Sequence, residues 1–429
     1  MKNLFFKTLK LMTFLFLFTN IFVISASAEE KPPKINAESA ILIDADTGDI
    51  LYSKKGEDKH FPASTTKVLT SLVVLENTKL SDVVTVGKNP PFADGSSIGL
   101  KEGEKFTVET LLTGLLLESG NDCALALAEH VAGSEENFTR LMNEKAKSLG
   151  ATNSNFVNAS GLPNPNHTST AHDMALILKE AIKDPNFVRI SRLISVELPK
   201  SNLDGYRRWC NNHDHLINPN SKYYYKYALA GKSGYTDISR HTFVISGEKD
   251  GRRLVAAFMK AEDKDQNFKD MAKLLDYGFD NFSNIDVYKK GEIVENVKIS
   301  KDETFPLTVS EDIYDSVPKN EVNKLSKELK YTLPDNFKSK SYLKGEKVTT
   351  ADLYIDGKKL KTIDLVSSEA RDVNTFDKIK DFSLRNAKML IFSFISLVTI
   401  SLIIYLLYKK RKRNKFNKKW KHIKNRHIK

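Results

Sequence analysis

Apolar and polar positions change period along the chain, and these changes mark the predicted elements. Residues 40–52 indicate two strands around an Asp46-Thr47-Gly48 turn, and residues 242–247 and 253–260 indicate two strands joined near Asp250-Gly251. Between them the apolar residues recur at helical spacing. The predicted helical segments are 64–76, 108–118, 122–131, and a segment opened by a capping box at Thr170, with Asp173 replacing the usual Glu or Gln, that runs to Ile182. Strands at both ends of a helical middle predict an α/β (α+β) fold in which helices cover one sheet.

The pattern changes again after about residue 284, where short strand-like pieces replace the helical segments. The clearest is a hairpin of residues 348–355 and 359–366 around Asp356-Gly357. We therefore predict a main domain at 36–283 and a small β-rich domain at 284–368. Residues 369–388 are charged, and both a stalk helix and a polar linker remain open for them.

The N-terminus has the pattern of a secretory signal peptide. Three lysines precede an apolar run over residues 11–24, and Ala26-Ser27-Ala28 supplies a small-x-small cleavage site. We expect residues 1–28 to be removed by cleavage after Ala28. The alternative is a retained membrane helix.

The other end has the pattern of a membrane anchor. Residues 389–408 are twenty residues without a charge, which as a helix span about 30 Å, enough for a bilayer core. The basic run Lys409–Arg413 follows immediately, as the positive-inside rule expects of a cytoplasmic flank. The sequence predicts a single-pass protein of the cell membrane with its body outside and its basic tail, 409–429, in the cytoplasm.

These ends account for the basicity of the chain. The net charge is +12, and residues 409–429 contain nine Lys, three Arg and no acidic residue. With the three lysines of the first 28 residues also set aside, residues 29–408 hold 51 basic and 54 acidic side chains, a net of −3. The near-neutral body excludes nucleic acid as the partner of the main domains.

Cysteine and histidine content excludes several classes of site. Two cysteines rule out a disulfide-stapled mini-fold and a Cys-rich metal framework. We expect Cys123 to be a small buried side chain, and its pairing with Cys210 is left open. No metal or cofactor is predicted. Four histidines that flank a helix start or an acidic residue are expected at the surface or in loops: His167, His172, His213 and His215.

Three short motifs carry the candidate chemistry. Ser64 and Lys67 lie three residues apart at a helix start behind Pro62, so that the lysine amine can take the proton of the serine hydroxyl if it is kept neutral. The second motif is Ser119-Gly120-Asn121, and the third is Gly231–Tyr235. Each is weak alone. The second, for example, also fits a simple helix break, with Gly120 ending one helix and Asn121 capping the next.

In this order the motifs match the S-x-x-K, S-x-N and K-[T/S]-G set of penicillin-interacting serine enzymes. Further segments resemble the low-molecular-weight penicillin-binding proteins that act as serine D-alanyl-D-alanine carboxypeptidases: 40–52, 62–67, 156–162, 169–171 and 276–279. The resemblance is strong over 36–283 and weak over 284–368. It implies a transpeptidase-like fold with an antiparallel sheet under helices.

The resemblance also implies a mechanism. Ser64 attacks the peptide bond between the terminal D-alanines of a peptidoglycan stem peptide and forms an acyl-enzyme, and β-lactam antibiotics inhibit it. The backbone amides of Ser64 and Tyr235 hold the oxyanion. The implied catalytic residues are Ser64, Lys67 and Ser119, and the implied substrate-binding residues are Asn121, Lys232, Ser233, Gly234 and Tyr235. Ser233 stands where the family usually has Thr, which keeps the hydroxyl and loses a methyl group.

Three alternatives differ in class. A class A β-lactamase needs an E-x-x-x-N segment, and no such segment occurs between Asn121 and Lys232. A D,D-endopeptidase that cuts crosslinks has the same motifs and remains the closest alternative. A non-catalytic, membrane-held wall binder is disfavoured because all three motifs are intact. Life-cycle stage and oligomeric state are not predicted.

Overall fold

The computed structural model describes residues 31–203, 205–300, 303–374, 379, 382–383 and 386–424, without the side chains of 418–424. The predicted signal peptide lies outside the described residues, as do parts of 369–388 and the last five residues of the tail. Tertiary contacts divide the chain into two compact units. The first unit comprises residues up to Ile285 together with Tyr314–Lys324, and the second comprises Asp286–Ile313 and Leu325 onward.

The first unit is built on a five-stranded antiparallel sheet. The sequence pattern predicts one sheet covered by helices, and the resemblance implies that its strands are antiparallel. Its strand order is β2-β1-β9-β8-β7, so that β7 is an edge strand. The bounds are β1 Ser39–Asp44, β2 Ile50–Lys54, β7 Ala228–Thr236, β8 Arg240–Lys249 and β9 Arg252–Ala261. Two short pairs are β3 Val83–Thr85 with β4 Lys105–Thr107, and β5 Ser195–Glu197 with β6 Trp209–Asn211. The predicted hairpin turn at Asp250-Gly251 joins β8 to β9, with positive φ at both residues.

Helices cover both faces of this sheet. They are α1 Lys67–Asn77, α2 Val108–Leu117, α3 Asn121–Ala132, α4 Glu135–Ser148, α5 Ala171–Ala181, α6 Pro185–Ser191 and α7 Lys264–Asn281. Along β1, Ile41 and Ile43 belong to the apolar cluster that includes α1–α6, whereas Ala40 and Leu42 belong to the cluster that includes α7. Alternate side chains of a strand point to opposite faces, so a sheet covered on both faces needs the unbroken apolar run seen in β1. At the start of α5, the Thr170 hydroxyl accepts a hydrogen bond from the Asp173 N–H, which confirms the Thr170 half of the predicted capping box. The Asp173 carboxylate accepts instead from the Asn153 N–H and the Ser154 hydroxyl.

The second unit is rich in β-structure. Its five-stranded antiparallel sheet has the order β11-β12-β16-β15-β14. A separate pair, β10 with β13, consists mostly of residues that belong to the first unit. The bounds are β10 Phe282–Tyr288, β11 Ile293–Lys298, β12 Thr304–Val309, β13 Ile313–Pro318, β14 Lys327–Tyr331, β15 Lys347–Ile355 and β16 Lys358–Ser367. The predicted hairpin at Asp356-Gly357 is present between β15 and β16.

The last described element is helix α8, Ala387–Lys424. Its segment 387–417 has a mean hydropathy of 2.6 in its most apolar window, and none of that window is buried. The predicted apolar segment 389–408 lies inside this helix. By length and composition the helix is able to cross a membrane.

Candidate active site

The candidate nucleophile lies in a tight turn that leads into α1. Residues Ala63–Thr66 form a single 3₁₀ turn, which we call the nucleophile turn. The α-helix begins only at Lys67, three residues later than the sequence pattern predicts. Pro62 starts the turn, and its carbonyl accepts hydrogen bonds from the N–H and the hydroxyl of Thr65. Ser64 is half-buried, whereas Lys67 is fully buried. The turn therefore holds the hydroxyl at the surface of a cavity with the lysine behind it.

Lys67 is surrounded by three oxygen atoms. Its Nζ lies 3.1 Å from Ser64 Oγ, 2.7 Å from Asn121 Oδ1 and 2.7 Å from the carbonyl oxygen of Ser160. The amide and peptide carbonyls can only accept hydrogen bonds, whereas a serine hydroxyl can donate one. A neutral amine has two N–H bonds and one lone pair. The geometry therefore fits an amine that donates to both carbonyls and turns its lone pair toward the Ser64 hydroxyl.

The surroundings also favour the neutral amine. Burial lowers the pKa of Lys67 well below its usual value, and the nearby Lys232 lowers it further. The opposing effects of Cys123 and Asp122 on this pKa are smaller. Desolvation disfavours a charged lysine, so burial shifts the equilibrium of Lys67 toward the neutral amine that a general base requires.

Ser119 occupies a strained position between α2 and α3. Its φ is +60°, a region that non-glycine residues adopt rarely. It is 7% exposed, and no hydrogen-bond partner of its Oγ lies among the described residues. A strained backbone and an unpaired buried hydroxyl are both costly, and such features concentrate at functional sites. Here they leave a hydroxyl free to exchange a proton.

Asn121 does not cap α3 as the helix-break interpretation proposes. Gly120 is the N-cap, and Asn121 is the first residue of the helix. Its side chain accepts from Lys67 and donates to the Asp94 carbonyl at 2.6 Å, while its backbone N–H donates to the Ser96 carbonyl. Asn121 thus links the lysine to the loop that forms one wall of the site.

The third motif lies on the edge strand β7. A Cβ at Gly234 would stand 2.6 Å from the backbone nitrogen of Ser64, so only glycine allows this strand to approach the nucleophile turn. Lys232 is 3% exposed, and its Nζ donates to the Ser233 carbonyl at 2.9 Å. Burial lowers the pKa of Lys232 to about 8, against the opposite effects of Asp214 and Glu118.

These motifs meet at one cavity of about 390 Å³. Its wall includes Ser64, Ser119, Lys232, Ser233, Gly234 and Tyr235, whereas Lys67 and Asn121 lie behind the wall. A larger cavity of about 540 Å³ beside Arg252 and Lys319 contains none of the motif residues. The structure therefore brings all eight candidate site residues to one place.

The loop from Phe156 to Thr170 contributes groups that the motifs do not reveal. It supplies the Ser160 carbonyl to Lys67, and the Ala159 carbonyl accepts from Thr70 at 2.6 Å. His167, expected at the surface or in a loop, is 1% exposed, and its Nε2 lies 2.9 Å from Thr66 Oγ1. It lies in a loop, which is one of the two expected placements, and it is buried because this loop folds under the nucleophile turn. Burial lowers the pKa of His167 to about 4, so the ring is neutral.

Cys123 and Cys210 are both buried free thiols, so they do not pair, and Cys123 is a small buried side chain as expected.

Among the described residues, Glu57, His172 and Asp173 could place ligand atoms within 4.8 Å of one another. Hydrogen bonds account for this group: His172 pairs with Glu57 at 2.6 Å, and Asp173 accepts from Ser154 and from the backbone of Asn153.

Comparison with known proteins gives a consistent result over most of the chain. Residues 26–263 match the D-alanyl-D-alanine carboxypeptidase family, and residues 282–372 match the C-terminal domain of penicillin-binding protein 5. D-alanyl-D-alanine carboxypeptidase DacF of Bacillus subtilis (strain 168) is 34% identical over 332 residues, which cover 76% of this chain and 83% of that protein.

Solved structures resemble the chain as well. Penicillin-binding protein 5 from Haemophilus influenzae aligns with a TM-score of 0.66 and 26% identity, over 79% of this chain and 98% of that one. A D-alanyl-D-alanine carboxypeptidase from Mycobacterium tuberculosis H37Rv aligns with a TM-score of 0.55 and 35% identity, over 59% of this chain and 95% of that one.

The contact between the loop and the nucleophile turn can be tested at Gly161. A Cβ there would meet the Ala63 carbonyl oxygen at 1.8 Å, and φ is +88°. We expect Gly161→Ala to displace the turn, to slow acylation by a fluorescent penicillin at least about tenfold, and to cost about 1–3 kcal/mol of stability.

Gly133→Ala is the matched control, because Gly133 also has a positive φ but a Cβ there meets nothing within 4 Å. In this variant the backbone strain alone should lower the free energy of unfolding, by about 1 kcal/mol, and the acylation rate should not change. Equal acylation rates for the two variants would contradict the proposed support of the turn.

Proposed function

The chain belongs to the D-alanyl-D-alanine carboxypeptidase family and is a serine-type carboxypeptidase, and we propose that Ser64, Lys67 and Ser119 carry its chemistry on peptidoglycan stem peptides. The observation that supports these roles is the environment of Lys67. Two carbonyls hold two of its N–H bonds, and the remaining position of the nitrogen faces Ser64 Oγ.

In the proposed acylation step, Lys67 takes the Ser64 proton as Oγ attacks the carbonyl carbon between the two terminal D-alanines. The oxyanion that forms accepts hydrogen bonds from the backbone N–H groups of Ser64 and Tyr235. The close approach of β7 to the turn at Gly234 supports this pairing, since it brings the two backbones together.

Collapse of the intermediate breaks the C–N bond and releases D-alanine. The leaving amine needs a proton, and the unpaired hydroxyl of Ser119 is placed to relay one from the Lys67 ammonium. Water then attacks the ester carbonyl of the acyl-enzyme, Lys67 again takes the proton, and Ser64 is restored. A penicillin follows the acylation step and forms the same ester bond to Ser64.

The free carboxylate of the substrate is assigned to Lys232 and Ser233. An ammonium and a hydroxyl in the wall of the cavity give a carboxylate two strong hydrogen bonds. A D,D-endopeptidase would use the same groups, but the relatives named carboxypeptidases favour removal of a terminal residue. The family assignment does not support a non-catalytic wall binder.

We also propose a topology for the chain. Residues 1–28 act as a cleaved signal peptide, residues 36–283 form the catalytic domain and residues 284–368 the β-rich domain, both outside the membrane. The apolar part of α8 crosses the membrane once, and the basic tail stays in the cytoplasm. Peptidoglycan lies outside the membrane, so this orientation places the enzyme beside its substrate.

The nucleophile is tested by Ser64→Ala. We expect complete loss of both fluorescent-penicillin labelling and D-alanine release from a pentapeptide ending in D-Ala-D-Ala, with an unchanged melting temperature, because only the hydroxyl is removed. Ser148→Ala is the control, since Ser148 also lies three residues from a lysine on one helix face but is exposed. Undiminished covalent labelling of the Ser64→Ala protein would overturn the assignment.

The carboxylate clamp is tested by Lys232→Ala with paired substrates that end in a free carboxylate or an amide. We expect the preference for the carboxylate to fall about 10- to 100-fold, which is the worth of a hydrogen bond to a charged group. Since the pKa of Lys232 is about 8, the ammonium is lost as pH rises through that value. The kcat/KM of the wild type for the carboxylate peptide should therefore fall as the pH rises above about 8.

Lys226→Ala, at an exposed lysine just before β7, should leave both the preference and the pH profile unchanged. If Lys232→Ala discriminates between the two peptides as strongly as the wild type does, Lys232 does not bind the carboxylate.

The topology is tested with single cysteines at Ser368 and Asn425. On whole cells, a membrane-impermeant thiol reagent should label Ser368→Cys but not Asn425→Cys. Native Cys123 and Cys210 are buried and give little background. Labelling in the reverse pattern, or extraction of the protein by high salt without detergent, is incompatible with the proposed orientation.

A further inference from the structure

A buried carboxylate lies against the strand that carries Lys232. Asp214 is 2% exposed, and its Oδ1 accepts a hydrogen bond from the Leu216 N–H at 3.0 Å. Its Oδ2 has no hydrogen-bond partner among the described residues. That oxygen is 2.7 Å from the point where a Cβ on Gly231 would stand, and Gly231 immediately precedes Lys232. Only glycine at this position leaves room for the carboxylate.

An unpaired oxygen on a buried acid is expensive unless a charge nearby compensates for it. No basic side chain of the described residues forms an ion pair with Asp214 within 4 Å, and Lys232 is the only charged side chain that lowers its pKa. Against this, burial raises the pKa of Asp214 to about 7. The influence is mutual, because Asp214 is the strongest of the charged groups that raise the pKa of Lys232. Each of the two buried groups therefore shifts the pKa of the other. Asp214 lies against Gly231, one residue before Lys232 on β7.

We propose that Asp214 is a positioning residue of the active site, a buried counter-charge against Gly231 that keeps the Lys232 side chain in its ammonium form. This inference rests on the proposed role of Lys232 as the carboxylate clamp. Asp214 itself does not line the cavity, and it acts only through Lys232.

Other charged groups lie near Asp214 and Lys232, and their effects on the Lys232 pKa must be distinguished from that of Asp214. Glu118 also raises the pKa of Lys232, but its side chain is partly exposed and accepts from the backbone of Asn211. His213 lines the cavity and pairs with Glu118 at 3.5 Å. Lys232 also acts on Lys67, because its charge lowers the pKa of the Lys67 amine.

The groups around Lys67 differ from those around Lys232. Asp122 and Cys123 raise the pKa of Lys67, and His167 is neutral. The pKa of Lys232 is instead shifted by its burial, by Asp214 and by Glu118. A change at Asp214 should therefore appear first in the titration of Lys232.

The experiment is the pH profile of kcat/KM for Asp214→Asn, measured by D-alanine release with the full-length chain in detergent. Asparagine keeps the shape of the side chain and an acceptor for Leu216, removes the charge, and puts an NH2 group in place of the unpaired oxygen. We expect the alkaline limb of the profile to move about one pH unit toward lower pH, a roughly tenfold loss of kcat/KM on that side, with kcat/KM near the optimum changed much less. The shift should be weaker for the amide-terminated peptide, which does not need the ammonium.

Asp270→Asn is the matched control. Asp270 is also a 2% exposed carboxylate of the first unit, but its oxygens accept from the Asn36 backbone and from Gln266. This variant should lose stability without moving the alkaline limb. If Asp214→Asn does not fold, Asp214→Ser, which is smaller and also offers Leu216 an acceptor, takes its place.

The outcomes separate this inference from the proposed function. An inactive wild type, or a Ser64→Ala protein that still reacts with penicillin, overturns the function itself. An active wild type whose alkaline limb coincides with that of Asp214→Asn overturns the inference alone. A fall in kcat/KM that is uniform across pH, together with a lower melting temperature, assigns Asp214 a structural role and likewise overturns it.

Discussion

The burial of Lys67 is the constraint on which the rest of the site depends. A lysine that is fully enclosed must either lose its proton or be compensated by a nearby charge. Here two carbonyls and a hydroxyl surround the amine, and no carboxylate of the described residues forms a hydrogen bond or ion pair with it. Each of those three oxygens comes from a different part of the fold. The nucleophile turn, the start of α3 and the loop after α4 are thus arranged around one nitrogen atom.

The sequence predicts those features of the structure well whose physical reason is local. Ser64 and Lys67 are neighbours on one turn, and the hairpin signals at Asp250-Gly251 and Asp356-Gly357 need only the backbone preferences of two residues. The cap at Thr170 is local in the same way. In such cases a short stretch of chain contains the whole physical reason for the structure.

What the sequence does not predict depends on contacts between distant segments. The Ser160 carbonyl is a backbone atom, so no residue type marks it, and the enclosure of His167 arises only when its loop folds beneath the turn. The displaced start of α1 has a similar origin, since β7 and the loop press the turn from both sides at Gly234 and Gly161. In the sequence, the segment that contains Ser160 is marked only by its resemblance to the family.

The partners of Lys67 lie 54 and 93 residues away along the chain. Before those segments assemble, the same lysine stands in water as an ordinary ammonium, and Ser64 is as inert as any alcohol. In the proposed mechanism, reactivity is therefore a property of the assembled tertiary structure and is absent from the nascent polypeptide. Folding then serves as the activation event, in the way that cleavage of a pro-segment does in a zymogen.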